Sequence, residues 1–346
     1  MPDLATLDWD ALERLRAVFL AREAAATGPY WQSQATLAAY DATYGERIGW
    51  KWDALLAELR LRAWSPPAAT MLVDFGCGSG VAGRRVLNAW GPTHFAGLAV
   101  LDHSSEAVAF AANRARTDFP GLKVQTTPEP TEPYTLVVSH VLNELTAEGR
   151  TELLKLARRA AAVLWVEPGT HADGRALASV RDELLPVHHI VAPCTHRENC
   201  PLFAATNARD WCHFFAGPPA GVQNSPDWVR FSHRAGIDLR SQAYSCLVLE
   251  TQSSPCSAPR LDGMARMLGR PEVFKPYARF LACDAAGLHW LELAKRTDSA
   301  LVKRLAKDPP LPLYALSHDG RKVSAARPLF PPIATAFTPE SGAEDL

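Results

Sequence analysis

From Asp8 to about Trp64 apolar residues recur every three to four positions, as in Trp9, Leu12, Leu15, Val18 and Phe19, and again in Trp52, Leu55, Leu56, Leu59 and Leu61. This spacing predicts amphipathic helices forming an N-terminal cap. Ser65, Pro66 and Pro67 end it, because proline lacks an N–H and restricts the residue before it. Short β-rich runs separated by helical patterns follow. Strands are expected at Met71 to Phe75, His94 to Leu101, Leu122 to Gln125, Tyr134 to Ser139 and Ala162 to Val166, and helices at Val81 to Ala89, Ser105 to Thr117 and Ala147 to Ala161. That rhythm predicts an α/β fold with a doubly wound parallel sheet.

Between Pro193 and about Arg240 the periodicity dissolves into Cys, His, Pro, Asn and Trp, a stretch too long for an idle loop and expected to be organised by something other than a hydrophobic core. Strand-like runs return at Ala243 to Glu250, Tyr277 to Cys283 and His289 to Lys295, the last two forming a hairpin about Asp284 to Gly287. The expected organisation is a cap (1–67), an α/β core (68–190), a Cys-rich module (191–240), C-terminal strands (241–330) and a frayed tail (331–346).

Composition changes this picture in three places. A formal net charge of −1 excludes a uniformly basic nucleic-acid coat, yet between Arg260 and Arg327 there are 13 Lys or Arg against 7 Asp or Glu, so this part is locally basic. The acidic start MPDLATLDWD lacks a secretory pattern, and no run of 18 apolar residues occurs. The expectation is therefore a cytoplasmic protein without a membrane partner. Seven cysteines in such a compartment point to metal or catalysis rather than disulfides. Nothing in the pattern specifies an oligomer, and a monomer is the default.

The sharpest motif is VDFGCGSG, Val73 to Gly80, at the end of the first predicted strand. Gly76, Gly78 and Gly80 permit a tight turn and close ligand approach, and the helix that follows offers free N–H groups. Asp102, ending the next strand, can accept hydrogen bonds from ribose hydroxyls. Dehydrogenases share this geometry, but the D-x-G-C-G-x-G form, with the acid Asp74 just before the glycines, favours S-adenosylmethionine over a dinucleotide. Cys77 reads as a space-filling residue. In LVVSHVLNEL, Ser139 is expected at the cofactor, while His140, Asn143 and Glu144 are candidate substrate-facing groups. His140 could accept a proton from an amine or hydroxyl, or merely satisfy loop backbone. No N/D-P-P-Y/F tetrad or Pro-Cys assigns the chemistry. Glu167 in WVEPGT reads as wall and turn.

Cys194, Cys200 and Cys212 lie in APCTHRENCPL and DWCHFF, beside His196 and His213. Gathered thiolates in a polar segment suit a metal whose binding supplies folding free energy. Spacing alone suggests zinc, with either histidine completing a tetrahedron.

Taken together, VDFGCGSG, SHVLNEL, VEPGT, APCTHRENCPL, DWCHFF and ARFLACDAAG resemble the small-ribosomal-subunit methyltransferase-like family of bacteria and mitochondria, the Rsm22 family, from about Met71 to Lys295. The resemblance implies a seven-stranded methyltransferase fold carrying a 4Fe-4S cluster on Cys194, Cys200, Cys212 and Cys283, with the small ribosomal subunit and its RNA as partner. Cys283 stands in a Cys-Asp-Ala-Ala-Gly turn that departs from the family pattern, and Cys246 and Cys256 match no ligand position. Two functions follow from different classes: a ribosomal RNA methyltransferase, or a catalytically silent assembly factor that binds the same RNA. A small-molecule methyltransferase with structural zinc is the third.

Overall fold

The computed structural model describes residues 7–21, 31, 33–127, 130, 132–253, 255–259, 261–307 and 313–329. The expected tail, 331–346, lies outside them. Helix α1 (Trp9–Ala21) is followed by α2 (Gln34–Tyr40), which runs through a π-helical turn, Asp41–Gly45, into α3 (Glu46–Leu61). The alternation then reads β1 (Met71–Phe75), α4 (Val81–Trp90), β2 (Gly97–Leu101), α5 (Ser105–Asp118), β3 (Val124–Gln125), β4 (Tyr134–Ser139), α6 (Ala147–Arg159), β5 (Ala162–Pro168), α7 (His171–Leu184) and β6 (His188–Ala192). Strands β1 and β4 coincide with the expected runs, β2 lies inside its run, and β5 extends past the expected Val166 to Pro168. Their nearly continuous burial is the mark of parallel strands covered on both faces.

Alternate residues face opposite layers. Leu72, Val100, Val137 and Leu164 pack with α3, α4 and α5 residues such as Trp52, Leu55, Val86 and Ala112. Val73, Leu136, Val163 and Trp165 pack against Leu153, Leu177 and Leu184 of α6 and α7. Thr146 and Thr170 cap the latter helices through their side-chain oxygens.

The Cys-rich stretch has more regular structure than its lack of period suggests. After short 3-10 turns come β7 (Phe214–Ala216) and α8 (Pro226–Ala235), which has proline in its first turn and the left-handed Gly236 at its end. Trp228, Phe231 and Ala235 of α8 form a core with Trp50 and Leu239, so a hydrophobic cluster, not metal alone, organises the segment. Strand β8 (Gln242–Thr251) runs antiparallel between β5 and β6, giving the order β3-β2-β1-β4-β5-β8-β6 with β7 on the side of β8. A parallel sheet completed by one reversed strand is the methyltransferase-like α/β arrangement. The boundary at residue 241 thus falls inside the α/β unit, because β8 completes its sheet.

The C-terminal hairpin proves to be part of a closed barrel. Strands β9 (Met264–Val273), β10 (Tyr277–Asp284), β11 (Gly287–Ala294), β12 (Leu313–Asp319) and β13 (Lys322–Pro328) close in the order β10-β11-β13-β12-β9, with α9 (Ser299–Leu305) between β11 and β12. Strands β11 and β13 pair parallel, and the other contacts are antiparallel. This is the five-stranded Greek-key barrel of the OB-fold. Phe280, Leu291, Leu293 and Tyr314 fill it, and Leu301, Val302 and Leu305 of α9 pack onto that core.

Arg266 of β9 ties barrel to core. Its guanidinium is 2% exposed and makes two hydrogen bonds to Glu58 of α3, at 2.9 and 2.8 Å, while its Nε donates to Pro193 O at 2.7 Å. Burial alone would weaken its charge, but Glu58 holds its pKa above the ordinary value. Removing one member of such a pair strands the other charge. Arg266→Met should therefore lower the unfolding free energy in urea by about 3–5 kcal/mol, and Glu58→Leu combined with Arg266→Met should recover much of that loss. Equal stability of the single variant and wild type would show that the pair does not hold the units together.

Candidate active site and thiol cluster

The glycine loop and α2–α3 enclose a cavity of about 1260 Å³. Gly76, Gly78 and Gly80 have φ of +63°, +50° and +75°, the left-handed region that glycine enters without Cβ strain. A Cβ on Gly76 would also lie 2.7 Å from Val141 Cγ2. Gly76, Gly78, Asp102, Ser139, His140, Asn143 and Glu144 all line the cavity, so the structure gathers most of the sequence-derived site. Asp102 Oδ2 accepts from Gly78 N at 3.0 Å and Oδ1 from Ser104 N at 2.9 Å, which orients the carboxylate while each oxygen keeps acceptor capacity. Asn143 Oδ1 is buried with no hydrogen-bond partner among the described residues.

Two residues fall elsewhere. Asp74 lies behind the loop, 1% exposed, with Oδ2 accepting from Gly83 N at 3.0 Å; it braces α4 rather than forming the cavity wall. Burial raises its pKa to about 7, against the Gly83 N–H that lowers it. Gly80 serves as the left-handed N-cap of α4 and is likewise off the wall.

The opposite wall comes from the N-terminal helices, which periodicity marked only as a cap. Tyr40, Tyr44, Arg47, Ile48 and Lys51 line it at helical spacing through the π-turn, a feature that re-aims side chains and often marks functional sites. Lys51 Nζ is 2.9 Å from His140 Nε2, His140 Nδ1 is 3.2 Å from Ser139 Oγ, and Trp52 Nε1 donates to Ser139 Oγ at 3.0 Å. Burial, then the charge of Arg47, lowers Lys51 to about 7, opposed by Glu167 and Asp173. Burial and Lys51 hold His140 well below its ordinary range. Near neutral pH His140 is therefore uncharged, and Lys51 is poised between its two protonation states. His140 has φ +59°, a conformation that an ordinary side chain adopts only when its surroundings impose it. Glu167 is one cause: its Oε1 accepts from Val141 N and Leu142 N at 3.2 Å and from Trp165 Nε1 at 2.7 Å. Burial raises its pKa to about 7 despite these donors. Glu167 thus positions the loop of His140, a role that reading it as wall and turn missed.

Cys194 follows β6, Cys200 precedes the first 3-10 turn of the Cys-rich stretch, Cys212 precedes β7 and Cys283 is the next-to-last residue of β10. Cys212 lies within electrostatic range of the other three, and Cys283 within range of Cys194 and Cys200. Burial, then Cys194, Cys246, Cys283 and Cys200, push the Cys212 thiol well up; burial, Cys194 and Cys200 do the same for Cys283. Burial raises Cys200 to about 11. Arg181 hydrogen-bonds Cys194. Such mutually repelling, desolvated thiols would ionise together only beside a compensating cation. Among the described residues, no three His, Cys, Asp or Glu side chains close on a single metal-ion position. His196 Nε2 lies 3.7 Å from Cys283 Sγ, whereas His213 stacks on Trp211 with ring centroids 4.3 Å apart. Cys246 is a residue of β8 buried in the core, and Cys256 sits beside Glu250.

Residues 46–283 match the family described as Mitochondrial small ribosomal subunit Rsm22. The chain belongs to the Rsm22 family. No curated protein matches it. Among solved structures, a SAM-dependent methyltransferase from Aquifex aeolicus is 13% identical, with 47% of this chain and 92% of that one covered at a TM-score of 0.35. A SAM-dependent methyltransferase from Leishmania major is 12% identical, covering 66% and 81% at 0.35. The fold assignment of this Rsm22-family chain rests on its own strand order. No helix among its described residues is long and apolar enough to cross a membrane, and the family description names mitochondria rather than the expected cytoplasm.

The depressed pKa of Lys51 has a definite sign. Between about 7 and its ordinary 10.5 the unfolded state binds more protons than the folded one, so stability rises with pH across that window. The unfolding free energy of wild type relative to Lys51→Met should be flat from pH 6 to 7 and then climb by roughly a few kcal/mol toward pH 10.5. A difference independent of pH in denaturant titrations would mean that Lys51 keeps an ordinary pKa.

Proposed function

We propose that this Rsm22-family chain is an S-adenosylmethionine-dependent methyltransferase acting at the small ribosomal subunit, on its RNA, and that it carries a 4Fe-4S cluster. The observation that carries this reading is one cavity with an adenosine-type cradle, Gly76, Gly78 and Asp102, on one wall and the Lys51–His140 pair on another. The positive-φ glycines and the oriented Asp102 carboxylate fit the cofactor, with Ser139 beside them. Bound there, the cofactor supplies an electrophilic methyl group. The protein's part is to hold the nucleophile and take its proton. Trp52 fixes Ser139, Ser139 fixes the His140 ring, and Lys51 completes the chain, so the proton of an N–H or O–H nucleophile has a neutral nitrogen to go to. Glu167 and Asp173 favour the charge that then forms on Lys51. Glu144 and Asn143 are proposed to face the substrate from the same loop.

For the cluster, Cys194, Cys200, Cys212 and Cys283 would supply the four thiolates that cubane iron–sulfur ligation uses, and the mutual electrostatic influence of Cys212 and Cys283 with the other thiols supports that set. Held by these residues, such a cluster would tie the Cys-rich segment to β10 and would add redox capacity. A silent assembly factor is favoured by one fact: Lys51 and His140 hydrogen-bond each other, so both could be structural.

Incubation with methyl-labelled cofactor and small subunits from cells lacking the protein separates the two readings. The enzyme reading expects label in RNA, a fall of about 10²–10⁴ in rate for Lys51→Met with cofactor binding kept, and weakened cofactor binding for Asp102→Ala. Cofactor binding without label in any subunit preparation would leave the assembly factor.

A further inference from the structure

The barrel carries a surface that the cavity does not use. At its far end, β9 turns into β10 through Phe274, Lys275 and Pro276, and the turn leaves Phe274 41% exposed. Trp290, on the outer face of β11, is 38% exposed. Arg279 of β10 lies between them, its guanidinium 5.7 Å from the Phe274 ring centroid and 5.5 Å from that of Trp290. Tyr277 packs on Phe274 with ring centroids 4.9 Å apart. Two half-buried rings and a guanidinium gathered side by side form a contiguous patch rather than scattered surface residues.

Charge runs across the same face. The registers Glu272↔Arg279, Arg279↔Glu292 and Glu292↔Lys322 form one cross-strand row over β9, β10, β11 and β13. Arg321 and Lys322, at the β12–β13 turn, are exposed at its end. Glu272 orients Arg279 by accepting from its Nε at 2.9 Å, and the segment from Arg260 to Arg327 keeps 13 Lys or Arg against 7 Asp or Glu. In barrels of this topology the face of the second and third strands, flanked by the first and last hairpin turns, binds oligonucleotides. Here those elements are β10, β11 and the turns bearing Phe274, Lys275, Arg321 and Lys322.

We propose that this face is a platform for single-stranded RNA, bases stacking on Phe274 and Trp290 with Arg279 between, and phosphates meeting Lys275, Arg321 and Lys322. The RNA identity of the polymer rests on the ribosomal reading above; the stacking surface does not. Aromatic rings read any unpaired base, whereas a duplex keeps its base faces closed, so the platform selects single strands with little sequence preference.

The test is fluorescence anisotropy of the full-length protein with a labelled 12-nucleotide oligouridine and with a duplex of equal length, over a salt series. Wild type should prefer the single strand. Phe274→Ala and Trp290→Ala should each weaken binding about five- to hundred-fold, Phe274→Trp should retain it, and Lys322→Glu should flatten the salt dependence by about 0.7 in log–log slope. Circular dichroism and cofactor binding should stay unchanged, because these side chains lie outside core and cavity. Alanine variants that bind oligouridine like wild type, or a wild type that prefers duplex, overturn the proposal. Co-sedimentation with small subunits separates its failure from that of the ribosomal reading. Subunit association without oligouridine binding sinks the platform alone; aromatic-dependent oligouridine binding without subunit association sinks the ribosomal reading alone.

Discussion

A guanidinium buried among three parts of the chain must find its counter-charge there, and the Arg266–Glu58 pair satisfies that constraint. Arg266 belongs to the barrel, Glu58 to the helix that walls the cavity, and Pro193 O, which takes the third hydrogen bond, precedes the first cysteine by one residue. The Phe214 ring lies 5.4 Å from the same guanidinium, and Arg62 adds a second cation beside Glu58. Buried charges of this kind add little net stability compared with a well-packed apolar substitute, but they penalise every arrangement in which they are parted. The pair therefore acts as a registration device, fixing the helical cap, the thiol cluster and the barrel relative to one another.

That registration links the two chemical centres. The helix that presents Glu58 to the barrel presents Lys51 to the cavity two turns earlier, and Trp52, between them, anchors Ser139. Cys283 reaches the other thiols because β10 is held beside β9, whose Gly269 N donates to His213 O in the Cys-rich segment. A cluster on these thiols would lock the same joint from the other side. Cavity and thiol site are thus parts of one mechanical assembly, with the RNA platform at the barrel's outer end.

Much of this was legible in the residues. Strands β1, β4 and β5 appear as largely apolar runs because both faces of each are covered, and the glycine loop was readable because glycines at a strand end admit few interpretations. Asp102 followed from its place one βαβ unit later. What escaped notice depends on contacts distant in sequence. Strand β8 was visible as a strand, yet its insertion between β5 and β6 has no local signature. The barrel was read as a hairpin because β9 alternates Ala265 and Met267 inward with Arg266 outward, a weak signal next to a buried parallel strand. Helix α8 could have been found from Pro226, Gly236 and the spacing of Trp228, Phe231 and Ala235. Lys51 was hidden by its helix: the stripe Tyr40, Tyr44, Arg47, Lys51 resembles an ordinary polar face until the cavity is seen. Asp74 sat in the right motif but turns behind the loop, because its carboxylate is taken by the Gly83 N–H.

The thiol-ligated cluster proposed beside the methyltransferase-like cavity is tested most directly by the absorption spectrum of protein purified without oxygen, with iron, sulfide and zinc determined on the same sample. The account predicts a brown protein with a broad band near the blue edge of the visible and about four irons and four sulfides per chain. A colourless protein holding a single zinc, or no metal, would contradict it.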